Sequence, residues 1–251
     1  MIRQRGLYIV LGALAGYALF GTYAAFGFAA VIVNLFTPLP AAFIGVRHGS
    51  TAGGMTVALT LLIVLLTGGP TQGLMYLVQF GIPAAVLPWL LNRGVAWDKA
   101  VVVVLSAMTA ASLGGLLIFS ITAGESPLAM IGGLIDKEVA QTSTVMQEMF
   151  AETDLPADQR KEVARAVENM ATFLQRAYPG IVVTVAGLMT LGLVLLLTLL
   201  ARGRYVLPGK SFPQWKAPEQ LVWVLIMSGF IVAFADGLLA TVALNMLVIL
   251  L

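Results

Sequence analysis

The sequence contains no cysteine, and His48 is its single histidine among 251 residues. The absence of cysteine excludes a disulfide framework, a thiolate metal site and a cysteine nucleophile. One histidine cannot build a metal site alone, and a position beside Arg47 is more typical of a solvated loop residue than of a proton relay.

Charged residues are also scarce. They make up 10% of the chain, against about 25% in ordinary soluble domains, whereas 59% of the residues are hydrophobic and the mean hydropathy is +0.95. Several stretches exceed the roughly 18 apolar residues that a membrane-spanning helix needs. The composition therefore predicts an all-α, polytopic membrane helix bundle. The net charge of +2 is small, and the isoelectric point near 9.0 reflects a few basic loops that face anionic headgroups and not nucleic-acid binding.

Several functional motifs are absent as well. The sequence has no Walker A segment, no H-E-x-x-H, no G-x-S-x-G, no paired carboxylates in its apolar runs and no arginine ladder. It also lacks a convincing internal repeat, which argues against an inverted-repeat transporter. We therefore expect a non-enzymatic protein with no catalytic residue, metal or cofactor, and without ATP binding through a Walker A loop.

The apolar runs predict about eight transmembrane helices. The expected boundaries are 7–27, 29–46, 51–67, 72–91, 99–122, 179–201, 219–235 and 237 to the end. The last run is too short for a full span, so we expect either a partial last helix or, preferably, a chain that continues beyond Leu251.

Glycine and proline mark the predicted interruptions between spans. Thr37-Pro38-Leu39-Pro40 breaks or kinks the second span, and Gly68-Gly69-Pro70 turns the chain between the third and the fourth. Asn92-Arg93-Gly94 ends the fourth span, where the glycine is suited to terminate a helix.

The distribution of lysine and arginine predicts the orientation. With a cytoplasmic N-terminus, nine of the fourteen cations fall on the cytoplasmic side and every short cytoplasmic connection holds at least one. These nine are Arg3, Arg5, Arg47, Arg93, Lys99, Arg202, Arg204, Lys210 and Lys216. We therefore expect a multi-pass protein of the bacterial inner membrane, with residues 125–178 outside the cytoplasm.

The segment 125–178 holds nine of the twelve acidic residues. Its periodicity predicts a helical hairpin with a break at Asp154-Leu155-Pro156 and an end at Pro179-Gly180. It divides the chain into an N-terminal membrane bundle (1–124), the hairpin insert (125–178) and the C-terminal spans (179–251). The hairpin packs on itself and on helix ends, or serves as a lid or docking surface, or lies on the membrane surface.

Small residues recur at four-residue spacing in two places, which lets helices approach closely in lipid. Gly12 and Gly16 form one pair, and Gly45, Gly49 and Gly53 form a longer series that crosses the predicted turn at Arg47-His48. We interpret both as helix packing or as a turn that requires positive φ, with a partner-docking surface as the alternative.

Five polar residues are candidates for ligand binding. Asn34, Gln79 and Asn245 fall within predicted spans, where an unpaired amide is costly, so we expect them to face the bundle interior. They either form interhelical hydrogen bonds or line a cavity. Glu125 and Asp236 fall at external ends of spans, where they are merely solvated or rim an outward-facing pocket.

Short segments carry a resemblance to a known family. They are Thr37-Pro38-Leu39-Pro40 leading to Gly45-Val46-Arg47-His48-Gly49, Phe80-Gly81-Ile82-Pro83 before Asn92-Arg93-Gly94, Pro213-Gln214-Trp215-Lys216-Ala217-Pro218-Glu219, and Asp236-Gly237-Leu238-Leu239 before Leu244-Asn245. In them the chain resembles the YybS-like family of predicted bacterial membrane proteins, whose function is unknown.

The first six spans are more distantly similar to the substrate-binding (S) components of energy-coupling-factor vitamin transporters. That resemblance implies an external ligand site and docking on separate ATPase and coupling subunits. This chain departs from the S components in its external insert and its two extra C-terminal spans.

Three hypotheses follow for the function. The leading one is a small-molecule binding or transport component in the lipid bilayer that depends on a separate ATPase. The second is a membrane scaffold or assembly subunit that docks partner proteins through the external hairpin and the small-residue helix faces. The third, an intramembrane enzyme, requires a catalytic cluster that the spacing does not reveal.

Overall fold

A computed structural model describes residues 2–26, 31–126, 129–130, 132–133, 157–200 and 207–251. These residues are helical and contain no β-strand, which confirms the predicted all-α class. The helices are α1 (Ile2–Phe26), α2 (Val31–Asn34), α3 (Leu39–His48), α4 (Ser50–Tyr76), α5 (Ile82–Asn92), α6 (Trp97–Ala123), α7 (Ala157–Leu200), α8 (Gln220–Phe234) and α9 (Gly237–Leu250). A π-helical turn, Leu77–Gly81, joins α4 to α5, and Phe212–Gln214 forms a 3₁₀ turn.

Within the described residues, four helical stretches are long and apolar enough to cross a membrane. They are Gln4–Thr22, Ser50–Asn92, Trp97–Ala123 and Thr172–Leu200. The helices α8 and α9 are also apolar but shorter. The chain is therefore a helical protein with several membrane-length segments, and the predicted number of eight spans is not confirmed.

The predicted break of the second span at Thr37-Pro38-Leu39-Pro40 is confirmed. The chain forms the short α2, a turn, and then α3. Pro38 has no N–H to donate, and it restricts the backbone of Thr37, whose N–H instead bonds the carbonyl of Asn34 at 3.0 Å. Helix α3 then starts with Pro40 in its first turn, where a missing N–H costs nothing.

The chain reverses direction at Gly69, within Gly68-Gly69-Pro70. Gly69 has φ 78° and ψ −176°, a backbone conformation that side chains disfavour. The helical arms before and after Gly69 lie side by side. The evidence is that a Cβ built on Gly81, in the second arm, would be 3.3 Å from the side chain of Val57, in the first arm. The stretch Ser50–Asn92 therefore forms two antiparallel helical arms and not one continuous straight helix.

Glycine also allows the reversal between α3 and α4. Gly49 has φ 99°, and beyond it Gly53 faces Gly45 so closely that an added Cβ would be 2.7 Å from the Gly45 Cα. The amide of Asn92, at the end of α5, donates to the Gly45 carbonyl at 2.9 Å and to the Ser50 hydroxyl at 3.2 Å. Three helix ends are thereby held together.

Helix α1 packs against α3 and α4. Gly12 faces the Ile44 side chain and Gly16 faces Thr60, whose hydroxyl also donates to the Ala13 carbonyl at 3.4 Å. The buried Tyr76 lies edge-on to Phe20 in the same region. The absence of side chains on the two glycines therefore allows α1 to approach the α3–α4 pair.

Apart from the buried residues around Tyr76, a hydrophobic core cluster joins α5, α6 and the later part of α7. At its edge, the Trp97 indole donates to the Lys210 carbonyl at 2.8 Å and packs 4.4 Å from the Phe212 ring, measured between centroids. The chain from Leu207 to Lys216 is thus attached to the beginning of α6.

The described chain groups into two compact units. One comprises Met1–Ser112 with Val185–Lys216, and the other comprises Leu113–Thr184 with Ala217–Leu251. In the second unit, α8 and α9 pack on each other across a turn at Gly237. The three-segment division at 124 and 178 stays a prediction.

Pro179-Gly180 does not end a helix, contrary to the prediction. Helix α7 continues through both residues from Ala157 to Leu200. The predicted break at 154–156 and most of the predicted first arm of the external hairpin lie outside the described residues, so the hairpin is not confirmed. Met170, Leu174 and Tyr178, from the apolar stripe of the predicted second arm, are exposed.

Substitution of Gly53 by alanine is expected to destabilise the protein by about 1–3 kcal/mol, because the methyl group would collide with the Gly45 backbone. The matched control is Gly54→Ala on the same helix, where a Cβ meets nothing within 4 Å. For both variants, the midpoint of thermal unfolding in detergent is measured by size-exclusion chromatography of heated samples. Equal midpoints for the two variants would contradict the close approach of α3 and α4.

Candidate functional site

A cleft of about 260 Å³ opens at the turn between α8 and α9. Its polar lining comes from Arg176 on α7, Asp236 in the turn and Thr241 on α9. The remaining lining is small or apolar and consists of Val232, Ala235, Gly237, Ala240 and Leu244. The cleft thus combines one cationic, one anionic and one hydroxyl side chain with an apolar wall.

The amide of Asn245 fixes the α7 wall of this cleft. In an undisturbed helix the Gly180 N–H would bond the carbonyl of Arg176. Here the Gly180 N–H donates to Asn245 Oδ1, and Asn245 Nδ2 donates to the Arg176 carbonyl at 2.7 Å and to the Thr241 carbonyl at 2.8 Å. One side-chain amide therefore bridges the backbones of α7 and α9.

This bridge explains how α7 continues past Pro179. Proline removes a backbone donor and its ring distorts the preceding turn, which exposes polar backbone groups. Asn245 supplies a donor and an acceptor at that point, and Thr184 adds a hydrogen bond to the Val248 carbonyl at 3.1 Å. Gly180 is needed for the contact, because an added Cβ would be 2.8 Å from the Asn245 carbonyl oxygen.

Asp236 occupies the N-cap position of α9 without capping it. Its backbone is extended, as at most N-caps, but its carboxylate makes no hydrogen bond to the first turn. Asp236 and Arg176 are not buried, and no ion pair joins them among the residues that the structure describes. Two opposite charges in one cleft are therefore both available to a solute.

The other predicted ligand residues lie elsewhere. Asn34 accepts a hydrogen bond from the Thr37 hydroxyl at 2.8 Å and thereby stabilises the turn before α3. Glu125 follows the end of α6, where its backbone N–H bonds the Ser120 carbonyl at 3.2 Å and its carbonyl accepts from the Ser120 hydroxyl, while its side chain is exposed.

Gln79 was expected to face the interior, and this expectation is wrong. Its side chain is exposed, in the π-helical turn that precedes Pro83. Proline at position 83 cannot donate to the carbonyl four residues earlier, and the wider turn accommodates that loss. The large rings of Tyr76 and Phe80 occupy the buried positions of this segment.

The structure thus brings together two of the five candidates, Asp236 and Asn245. Asp236 lines the cleft, whereas Asn245 supports it by holding the backbones of Arg176 and Thr241. Sequence reasoning missed Arg176 and Thr241. For Arg176, the sequence offered one signal, namely a cation three residues before Pro179 at the edge of an apolar run. A single arginine in such a position does not by itself indicate a binding site.

Comparison with known proteins identifies a family. Residues 15–251 match the family described as "Predicted membrane protein (DUF2232)". No curated protein and no solved structure matches the chain. The match bears out the predicted kinship with a family of membrane proteins of unknown function, and a similarity to energy-coupling-factor components is not shown.

Replacement of Asn245 by leucine is expected to lower the stability of the protein by about 1–2 kcal/mol, because backbone groups of α7 and α9 lose their partners. Met246→Leu, on an exposed part of the same turn, serves as the control and is expected to stay within about 0.5 kcal/mol of the wild type. Both are measured by thermal unfolding in detergent. An Asn245→Leu variant as stable as the control would show that the bridge contributes nothing.

Proposed function

The chain belongs to the DUF2232 family of predicted membrane proteins, and we propose that it is a non-enzymatic membrane component that binds a small solute for uptake. The proposed site is the cleft formed by Arg176, Asp236 and Thr241. The observation that carries the proposal is the presence of two opposite charges in this cleft that are not paired with each other.

The lining favours a small solute that carries both a carboxylate and an ammonium group. Arg176 suits a carboxylate because its guanidinium offers a planar fork of donors, and Asp236 suits an ammonium group. Ala235, Ala240 and Leu244 would contact a short apolar portion. The cleft, at about 260 Å³, lies just below the usual range of about 300–1,000 Å³ for ligand pockets, which favours a solute of amino-acid size.

The charge pattern supports an external position for this cleft. Lys210 and Lys216 precede α8, and the positive-inside rule assigns that loop to the cytoplasm. Asp236, at the other end of α8, then belongs to the external side. Active uptake would require a separate ATPase, since the sequence contains no Walker A segment.

The scaffold hypothesis has weaker support. Gly12, Gly16, Gly45 and Gly53 all face residues of the same chain, so these positions are already used in internal packing. The predicted external hairpin remains the surface on which a scaffold role would depend, and residues 134–156 lie outside the described part of the chain.

The proposed orientation predicts a labelling pattern. The chain has no cysteine, so a single cysteine introduced at any position reports on that position alone. Glu125→Cys and Asp236→Cys are expected to react with a membrane-impermeant maleimide in intact cells. Lys216→Cys is expected to react only after permeabilisation. The reverse pattern would place the cleft on the cytoplasmic side and exclude external capture.

The cleft predicts which variants lose solute binding. A panel of amino acids, small carboxylates and small amines is screened by thermal shift on the detergent-solubilised protein. Arg176→Gln is expected to weaken binding of carboxylate-bearing compounds, and Asp236→Asn that of amines, each by about tenfold or more, because each removes a charge-assisted hydrogen bond.

Glu219→Gln is the control for that screen, because Glu219 is an exposed carboxylate that does not line the cleft. It is expected to bind as the wild type does. The proposal fails if no compound in the panel stabilises the wild-type protein, or if the two cleft variants bind as tightly as Glu219→Gln.

A further inference from the structure

A cluster of basic side chains lies where the first turns of α1 meet the end of α3. The Tyr8 and His48 rings are stacked, with centroids 4.7 Å apart and an interplanar angle of 19°. Arg47 adjoins His48 on α3, and Arg5 lies one helical turn before Tyr8 on α1. The stack fixes the plane of the imidazole and leaves its edge, which carries both ring nitrogens, free to bind.

Within the described part of the chain, no acidic side chain pairs with this basic cluster. Among the residues that the structure describes, neither arginine nor the histidine forms an ion pair, and the Arg47 guanidinium lies 5.8 Å from the centroid of the Phe43 ring. Burial lowers the pKa of His48 below its ordinary value of 6.5, and the positive charges of Arg47 and Arg5 lower it further. Both arginines thus act electrostatically on the imidazole.

The α3 residues of the cluster adjoin a close contact between α3 and α4. Arg47 and His48 directly precede the Gly49 reversal, and α3 is held against α4 at Gly45 and Gly53. The Asn92 amide also bonds the Gly45 carbonyl. Arg47 and His48 therefore lie at the end of a closely packed helix, whereas Lys210 and Lys216 lie on either side of the 3₁₀ turn Phe212–Gln214.

We propose that Arg5, Arg47 and His48 form a binding site for a phosphate group. Two guanidinium groups and one imidazole edge offer several donors to an anion with several oxygens, and an arginine fork matches phosphate geometry. An anion bound there relieves the repulsion between the two guanidinium groups and favours the charged form of the imidazole. The phosphate belongs either to a lipid headgroup or to a free phosphorylated solute, since both present the same chemistry. This site is independent of the cleft at Arg176.

The single histidine makes the test direct. Full-length protein with isotopically labelled histidine gives one imidazole signal, from His48. In one arm, inorganic phosphate is titrated into protein in an uncharged detergent, with chloride at matched ionic strength as the reference. In the other arm, the protein is placed in nanodiscs of phosphatidylcholine alone or with phosphatidylglycerol added.

A saturable shift of the His48 signal, together with a rise in its pKa, is expected in at least one arm, because a bound anion favours the charged imidazole. A response to free phosphate identifies a solute site, and a response confined to phosphatidylglycerol identifies a headgroup site. Among the residues whose side chains the structure describes, the charged and titratable groups that act on the imidazole are Arg5 and Tyr8 on α1 and Arg47 on α3. The pKa is therefore expected to rise less in variants that lack either arginine.

Arg47→Gln and Arg5→Gln are each expected to weaken the response by about tenfold, the usual effect of losing a hydrogen bond between charged groups. Lys210→Gln is the matched control and is expected to respond as the wild type does. Tyr8→Phe keeps the stacked ring and is expected to keep binding, whereas Tyr8→Ala is expected to weaken it.

The proposal is overturned if neither arm shifts the His48 signal beyond the chloride reference, or if Arg47→Gln responds as strongly as Lys210→Gln. Gel filtration and the dispersion of the amide spectrum establish that each variant is folded. An unfolded Arg47→Gln variant is replaced by Arg47→Lys, which keeps the charge but loses the fork and is expected to bind more weakly than the wild type.

Discussion

Hydrocarbon offers no hydrogen bonds, so a membrane-embedded backbone must find its partners within the protein. This constraint explains how the interruptions of the helices are built. At Pro179 the Asn245 amide bonds the groups that the helix leaves open. At the Gly49 reversal the Asn92 amide bonds the Gly45 carbonyl. At each of these two points, a side chain from a distant part of the sequence supplies the hydrogen bonds.

The same constraint explains why the amide side chains in apolar segments serve the structure, whereas the charged side chains at helix ends can bind a solute. Asn34 and Asn245 are polar residues in apolar runs, and both are engaged with nearby backbone or side-chain groups. The cleft instead presents the charged side chains Arg176 and Asp236, which lie at the turn and at the edge of the apolar segments. We therefore base the proposed solute site on charges at helix ends and not on amides within helices.

The two proposed sites, the cleft at Arg176 and the cluster around His48, differ in their charge, and each lies within one of the two compact units. The cleft contains both signs of charge and is suited to a solute that carries both. The cluster of Arg5, Arg47 and His48 contains one sign only and is suited to an anion. Rigid packing supports both features, through Asn245 against Gly180 in one unit and through Gly45 against Gly53 in the other.

The sequence by itself determined the all-helical class, the apolar segments and the reversal at Gly68-Gly69-Pro70, because apolar runs and glycine–proline pairs act locally. It misjudged Pro179, where a proline that ends helices in isolation is tolerated once Asn245 supplies the missing partners. It also misjudged the orientation of Gln79. Only the tertiary structure decided which polar residues meet, because hydrogen bonds between residues more than sixty positions apart leave no local pattern. Arg176 and Asp236 therefore became recognisable as one site only when the helices that carry them were packed.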